Sequence, residues 1–117
     1  MDLNQAIAKH AEWKMKFRSA ISRQETMDAV AISKDNCCEM GKWLYGEAKA
    51  KLSGLKSYAE CVAKHAAFHI EAGKVAHAIN AKKYAEAENM IGSNTPYMAA
   101  SNAVGSGIIH LKKEAAL

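Results

Sequence analysis

The sequence predicts an all-α fold, and three observations carry that prediction. Alanine, lysine, glutamate, methionine and leucine dominate the chain, and β-branched runs are missing. Apolar residues recur at three- and four-residue steps, the period of one helix face. Half of the 117 residues are hydrophobic and one proline stands against seven glycines, a composition that fits a packed core and neither a disordered tail nor a collagen-like repeat.

A first helix is expected from an Asp2 or Asn4 N-cap to about Arg23, with Leu3, Ile7, His10, Trp13, Phe17, Ala20 and Ile21 on its inner stripe. Residues 24–36 combine turn formers with a mixed pattern, and Asp35 or Asn36 caps a short helix through residues 37–46. A long helix from about Ser57 to Ala81 places Tyr58, Val62, His65, His69, Ala72, Ala76 and Ile79 on its seam. A shorter helix follows the Lys82-Lys83 pair, from Tyr84 to Ile91. Thr95 then caps the last helix and Pro96 takes its first position, with Tyr97, Ser101, Val104, Ile108 and Leu111 on one stripe. Short connections between long helices favour antiparallel neighbours. The expected architecture is an antiparallel four-helix bundle with an extra short helix carrying the Cys-x-x-Gly-Lys-Trp segment, one domain over residues 1–117.

Charge and cysteine content narrow the function. The net charge of +4 comes from 16 basic and 12 acidic residues scattered along the chain, whereas nucleic-acid binders cluster Lys and Arg on one face, so no nucleic-acid partner is expected. The longest apolar runs fall far short of the roughly 18 to 20 residues a membrane span requires, and the N-terminus lacks a signal-peptide apolar stretch. No membrane insertion is expected. Cys37, Cys38 and Cys61 are odd in number and two are adjacent, where an unstrained disulfide is hard to form. They read as reduced, cytoplasmic thiols.

Histidine on an inner helix seam is unusual because its ring nitrogens must be satisfied. Here there are three. His65 and His69 lie one helical turn apart, their Cβ atoms about 5 to 6 Å from each other, so both rings reach one ion. His10 on another inner face and Cys38 in the short helix complete a tetrahedral set. Three imidazoles and one thiolate suit zinc, which accepts mixed nitrogen and sulfur donors. Gly41, three residues after Cys38, shares its helix face: either its missing side chain lets the neighbouring helix approach, or it only ends a turn. Trp43 and Leu44 anchor the short helix by burying apolar area. Cys61 reads as a small buried hydrophobe, His77 and His110 as surface residues, and Lys112-Lys113 with Glu114 as a solvated helix end.

His10, then Cys38-Glu39-Met40-Gly41-Lys42-Trp43-Leu44-Tyr45-Gly46, then His65-Ala66-Ala67-Phe68-His69 resembles the chemoreceptor zinc-binding domain family, found in bacterial chemoreceptors and diguanylate cyclases. The resemblance covers nearly the whole chain. It implies that His10, Cys38, His65 and His69 ligate one Zn2+, with the spacing to Gly41 selecting Cys38 over Cys37. It also implies a homodimeric helical bundle in the cytoplasm that regulates an attached signalling output domain, either a chemoreceptor signalling domain or a diguanylate cyclase. Such domains are linked to sensing of zinc and of hypochlorous acid, which makes Cys38 the redox-sensitive member. Cys37 departs from the pattern, and its vicinal thiol either competes as a ligand or resolves an oxidised Cys38.

Enzyme classes fit poorly. A zinc hydrolase needs an open coordination position and a general base, yet four protein donors close the shell and Ala66 stands where an H-E-x-x-H motif has glutamate. A di-iron bundle needs Glu-x-x-His pairs, and Val62, Ala66, Lys74 and Gly107 precede the histidines instead. The expected function is a non-enzymatic sensory or regulatory zinc domain. The alternative is a structural zinc staple in a dimerisation or interaction domain.

Overall fold

Eight helices make up the regular structure of the chain, in a computed structural model that describes residues 1–117. The first, α1 (Leu3–Ala11), begins where the Asp2 carboxylate accepts the N–H groups of Asn4 and Gln5 at 3.0 and 3.2 Å, so Asp2 is the cap. It continues into α2 (Trp13–Arg23) through Glu12, whose backbone stays in the right-handed helical region at φ −64° and ψ −21°. The expected first helix is therefore one arm with a single irregular residue. Gln24, left-handed at φ 55°, ends it.

The next stretch departs from the sequence reading. Residues read as turn-like contain α3 (Ala29–Ser33), capped by the Asp28 carboxylate on the Ala31 N–H at 3.1 Å. The short helix α4 (Glu39–Tyr45) is capped by neither Asp35 nor Asn36: its N-cap is Cys38, whose sulfur accepts the Gly41 N–H at 3.3 Å. A further helix, α5 (Glu47–Leu52), follows at once. The long α6 (Lys56–Asn80), α7 (Tyr84–Met90) and α8 (Pro96–Glu114) fall within a residue or a few of their expected bounds, and the Thr95 hydroxyl accepts the Met98 N–H as the expected cap.

Three hydrogen-bonded ties fix the directions of the long helices. Asn80 near the end of α6 clamps Met27 just beyond α2, accepting its N–H at 2.8 Å and donating to its carbonyl at 2.7 Å. Asn4 at the start of α1 accepts from Lys112 near the end of α8 at 2.9 Å. Ser57 at the start of α6 donates its N–H and hydroxyl to the Glu114 carboxylate of α8 at 2.9 and 2.5 Å, so this glutamate serves as a cap for α6 rather than a free solvated end. The α1–α2 arm thus runs parallel to α6, and α8 runs against both. The chain returns from Met27 to the start of α6 through the segmented leg α3–α4–α5, and α7 is a connector.

With 25 residues at about 1.5 Å each, α6 spans most of the 43 Å long axis. It packs against α8, α3, α7 and α2, so its buried face is wider than the seven-residue seam: Cys61, Phe68, Gly73 and Val75 are buried as well. At Gly73 the α3 residue Ser33 lies close against α6. A Cβ there would lie 2.5 Å from the Cβ of Ser33, so the absent side chain sets how near α3 comes to α6. No helix is long and apolar enough to cross a membrane.

Candidate metal centre

The three inner histidines converge from two helices. His10 lies in the last turn of α1, and His65 and His69 face it from the middle of α6; their exposures are 5%, 0% and 2%. The N-cap position of α4 adds Cys38, half-buried at the edge of the cluster. One donor atom from each residue lies within 4.8 Å of the others. The closest three are Cys38 Sγ, His65 Nε2 and His69 Nε2: sulfur to nitrogen distances are 3.2 and 3.5 Å, and the two nitrogens are 3.2 Å apart.

Those edges match the ion that the donors suit. Bonds of about 2.0 to 2.1 Å to nitrogen and about 2.3 Å to sulfur, at the tetrahedral angle, separate two nitrogens by about 3.3 Å and nitrogen from sulfur by about 3.5 Å. Three of the donors therefore already stand at zinc spacing, and with His10, within 4.8 Å of them, the four residues are able to hold one metal ion.

Backbone carbonyls orient two of the three rings. His10 Nδ1 donates to the Ala6 carbonyl at 2.7 Å and His69 Nδ1 to the Ile32 carbonyl of α3 at 2.9 Å. A carbonyl only accepts, so each Nδ1 carries the proton and each Nε2 keeps a lone pair for the centre. His10 Nε2 has no protein hydrogen-bond partner although it is buried. His65 Nδ1 is also buried without one, so backbone does not set this ring; the neighbouring histidines pack edge-on to it, with ring centroids 5.0 and 4.6 Å away.

Burial favours the uncharged forms. It is the largest influence on all three imidazoles: it lowers His10 and His69 against the opposing pull of their carbonyl partners, and with the neighbouring His69 and His10 it takes His65 down to about 3. At neutral pH the rings are neutral bases, the form that binds a metal. Burial pushes the Cys38 thiol up, partly offset by the Gly41, Met40 and Cys38 backbone N–H groups. Without a cation this sulfur is a thiol; beside one it loses its proton.

The site helix is tied down on several sides. Leu44 and Met40 are buried in the core and Trp43 is half-buried against it, the anchoring expected of this segment. Tyr58 donates to the Leu44 carbonyl at 2.7 Å, Tyr45 donates to Asp35, and Lys9 meets Glu39 at 2.8 Å across α1 and α4. The Gly41 expectation needs correction. A Cβ there would overlap the Asp35 carbonyl, so the close approach is by the turn between α3 and α4 and not by a neighbouring helix. The Ala6 and Ile32 carbonyls escaped the sequence reading. Ala6 had a signal, lying one turn before His10; Ile32 had none, because α3 itself was not foreseen. Cys61 is fully buried, and His77 and His110 are exposed, as expected. Cys37 is exposed and lies outside the four-residue cluster.

The sequence model of the family described as chemoreceptor zinc-binding domain matches residues 10–76, more than half of the chain and the whole interval from His10 to His69. No curated protein and no solved structure matches.

Proposed function

Because the chain belongs to the chemoreceptor zinc-binding domain family, we propose that it is the cytoplasmic sensory domain of a bacterial signalling protein, a chemoreceptor by preference, with His10, Cys38, His65 and His69 as the zinc ligands. The observation that carries this reading is the convergence of four donors to within 4.8 Å of one another, from two helices and a helix cap. Bound there, zinc would tie α1, α4 and α6 together and hold the Cys38 sulfur as a thiolate. Four protein donors fill a tetrahedral shell, which leaves no position for a reacting water and makes the domain regulatory rather than catalytic.

The single sulfur is the corner that chemistry distinguishes. Imidazoles resist mild oxidants, whereas a thiolate is oxidised to a sulfenic acid, a poor ligand. Zinc occupancy and the oxidation of Cys38, with hypochlorous acid as the oxidant, both bear on how α4 sits against an otherwise intact antiparallel four-legged bundle. A homodimer of such domains passes that difference to the attached output domain. The burial of all three histidines favours a second reading, a structural zinc staple.

A titration at buffered free zinc separates the two. Sensing predicts that the zinc-free protein stays helical and reloads reversibly, with hydrogen exchange rising over residues 33–50 and changing less in α6 and α8. Global loss of helicity on chelation establishes the staple instead. Alanine at any of the four ligands is expected to abolish tight binding, while Cys37→Ala and Cys61→Ala retain it. Loss of zinc in Cys37→Ala with retention in Cys38→Ala overturns the ligand assignment.

A further inference from the structure

Cys37 is used by nothing described so far. It is exposed, and its sulfur makes only a long contact of 3.7 Å with the Asn36 side chain. It adjoins Cys38 in the turn that precedes α4, where the backbone is extended at Cys38 and not yet helical, with φ −81° and ψ 161°. An open groove of about 620 Å³ between α2 and the α3 segment is lined by Cys37, Cys38 and His69 together with Trp13 and Ile32. A small oxidant entering this groove from solvent therefore has access to both cysteines, the exposed Cys37 and the half-buried Cys38. The third cysteine is no competitor: Cys61 is fully buried on α6, outside this groove.

We propose that Cys37 is the resolving thiol of the centre, so that oxidation of Cys38 ends in a Cys37–Cys38 disulfide. The proposal rests on the reading of Cys38 as the redox-sensitive ligand. With hypochlorous acid as oxidant, the Cys38 sulfur attacks chlorine, an S–Cl bond forms, the Cl–O bond breaks and hydroxide leaves to become water. The Cys37 sulfur then attacks Cys38, an S–S bond forms, chloride leaves, and the Cys37 proton passes to solvent. The two sulfurs together give up two electrons, and hypochlorous acid takes them as chloride and water.

The geometry makes this mark reversible. Neighbouring Cα atoms lie about 3.8 Å apart across a trans peptide, closer than the roughly 4.4 to 6.8 Å of ordinary disulfides. Such a bond is strained and readily reduced by a small thiol. Its formation removes Cys38 Sγ as an acceptor for the Gly41 N–H and from the two α6 histidines, so the start of α4 is released while α6 keeps its place. Trapping the sulfur as a disulfide also protects it from the irreversible sulfinic and sulfonic stages.

The test treats the zinc-loaded full chain with one equivalent of hypochlorous acid and follows zinc release with a chromogenic chelator. Trypsin cleavage after Lys34 and Lys42 leaves both cysteines on the peptide of residues 35–42. The expected result is that this peptide loses two hydrogens and takes up no alkylating agent until dithiothreitol is added, whereupon zinc rebinds. In Cys37→Ser, Cys38 is expected to be trapped by dimedone and then overoxidised, with zinc binding no longer restored by dithiothreitol. A wild-type peptide with Cys38 trapped by dimedone and Cys37 free to alkylate overturns the resolving role while leaving Cys38 as the sensor. A Cys38 untouched while methionines oxidise overturns both readings. A disulfide joining Cys38 to a second chain also overturns the vicinal bond.

Discussion

Replacing Gly41 by alanine tests whether the turn before α4 holds the sulfur in place. Alanine in a helix interior is ordinarily favoured over glycine by about 1 kcal/mol. At Gly41 the added methyl would fall on the Asp35 carbonyl oxygen, with Asp35 C and Asn36 Cα next to it. These are backbone atoms that cannot rotate aside, so the turn must shift. Overpacking of this kind costs about 1 to 3 kcal/mol, which offsets the propensity gain and leaves a net loss of up to about 2 kcal/mol. The displacement falls between Asp35 and Cys38, so it moves the sulfur against His65 and His69, now 3.2 and 3.5 Å away. Misplaced supports of metal ligands typically weaken binding about 10- to 100-fold. Gly105 supplies the control, since a Cβ there meets nothing within 4 Å and Gly105→Ala is expected to gain about 0.5 to 1 kcal/mol. Urea unfolding in chelator reads the stabilities, and competition with a zinc indicator reads the affinities. If Gly41→Ala gains stability as Gly105→Ala does and binds zinc unchanged, the claim that Asp35 and Gly41 position Cys38 is wrong.

Acid is expected to weaken the metal-free fold. His65 is held neutral down to about 3 while the unfolded chain takes up its proton near 6.5; the unfolded state then binds more protons, and stability falls as pH drops below about 6.5. At pH 5 His65 alone accounts for about 2 kcal/mol, and the downward shifts of His10 and His69 act in the same direction. Urea midpoints that coincide at pH 5 and 7 in chelator contradict this. Asn80→Ala is expected to cost about 1 to 3 kcal/mol by leaving the Met27 N–H unpaired and its carbonyl with the Ala29 N–H alone, and to speed hydrogen exchange in α3 before that in α8; uniform exchange changes would deny Asn80 a local role. Native-state alkylation is expected to label Cys37 quickly and Cys61, whose thiol burial pushes up to about 11, only on unfolding; equal labelling rates would place Cys61 at the surface.

The parts of this fold legible in the sequence are those written in a repeating local pattern. The long helix α6 covers seven turns, enough for three- and four-residue steps to declare both its existence and its inner face, and α8 announces its start through Thr95 and Pro96. With five and six residues, α3 and α5 are too short for any period to repeat twice. Helices this short are held by what they pack on rather than by propensity. In the case of α3 that support is Gly73 on α6, a partner 40 positions further along the chain. The same division runs through the metal centre. His65 and His69 share a face because they lie one turn apart, and His10 follows from the stripe of its own helix, so three donors could be placed by periodicity alone. Cys38 needed the family spacing to be preferred over Cys37.

What orients His69 was not legible, because it is backbone from a distant part of the chain. The Ile32 carbonyl that fixes the His69 tautomer has no residue-type signature, since any side chain at position 32 offers the same oxygen. Its position depends on α3 crossing at Gly73, which depends in turn on Asn80 holding Met27. The direction of the first arm was hidden in the same way. Only once α3, α4 and α5 are seen as a returning leg does α1 run parallel to α6, bringing His10 near the start of the chain beside His65 rather than at the opposite end of α6. The donors are thus specified by local spacing and their geometry by non-local ties. Substitutions at Gly73 or Asn80, neither of which supplies a donor atom, therefore act on the centre through the placement of α3.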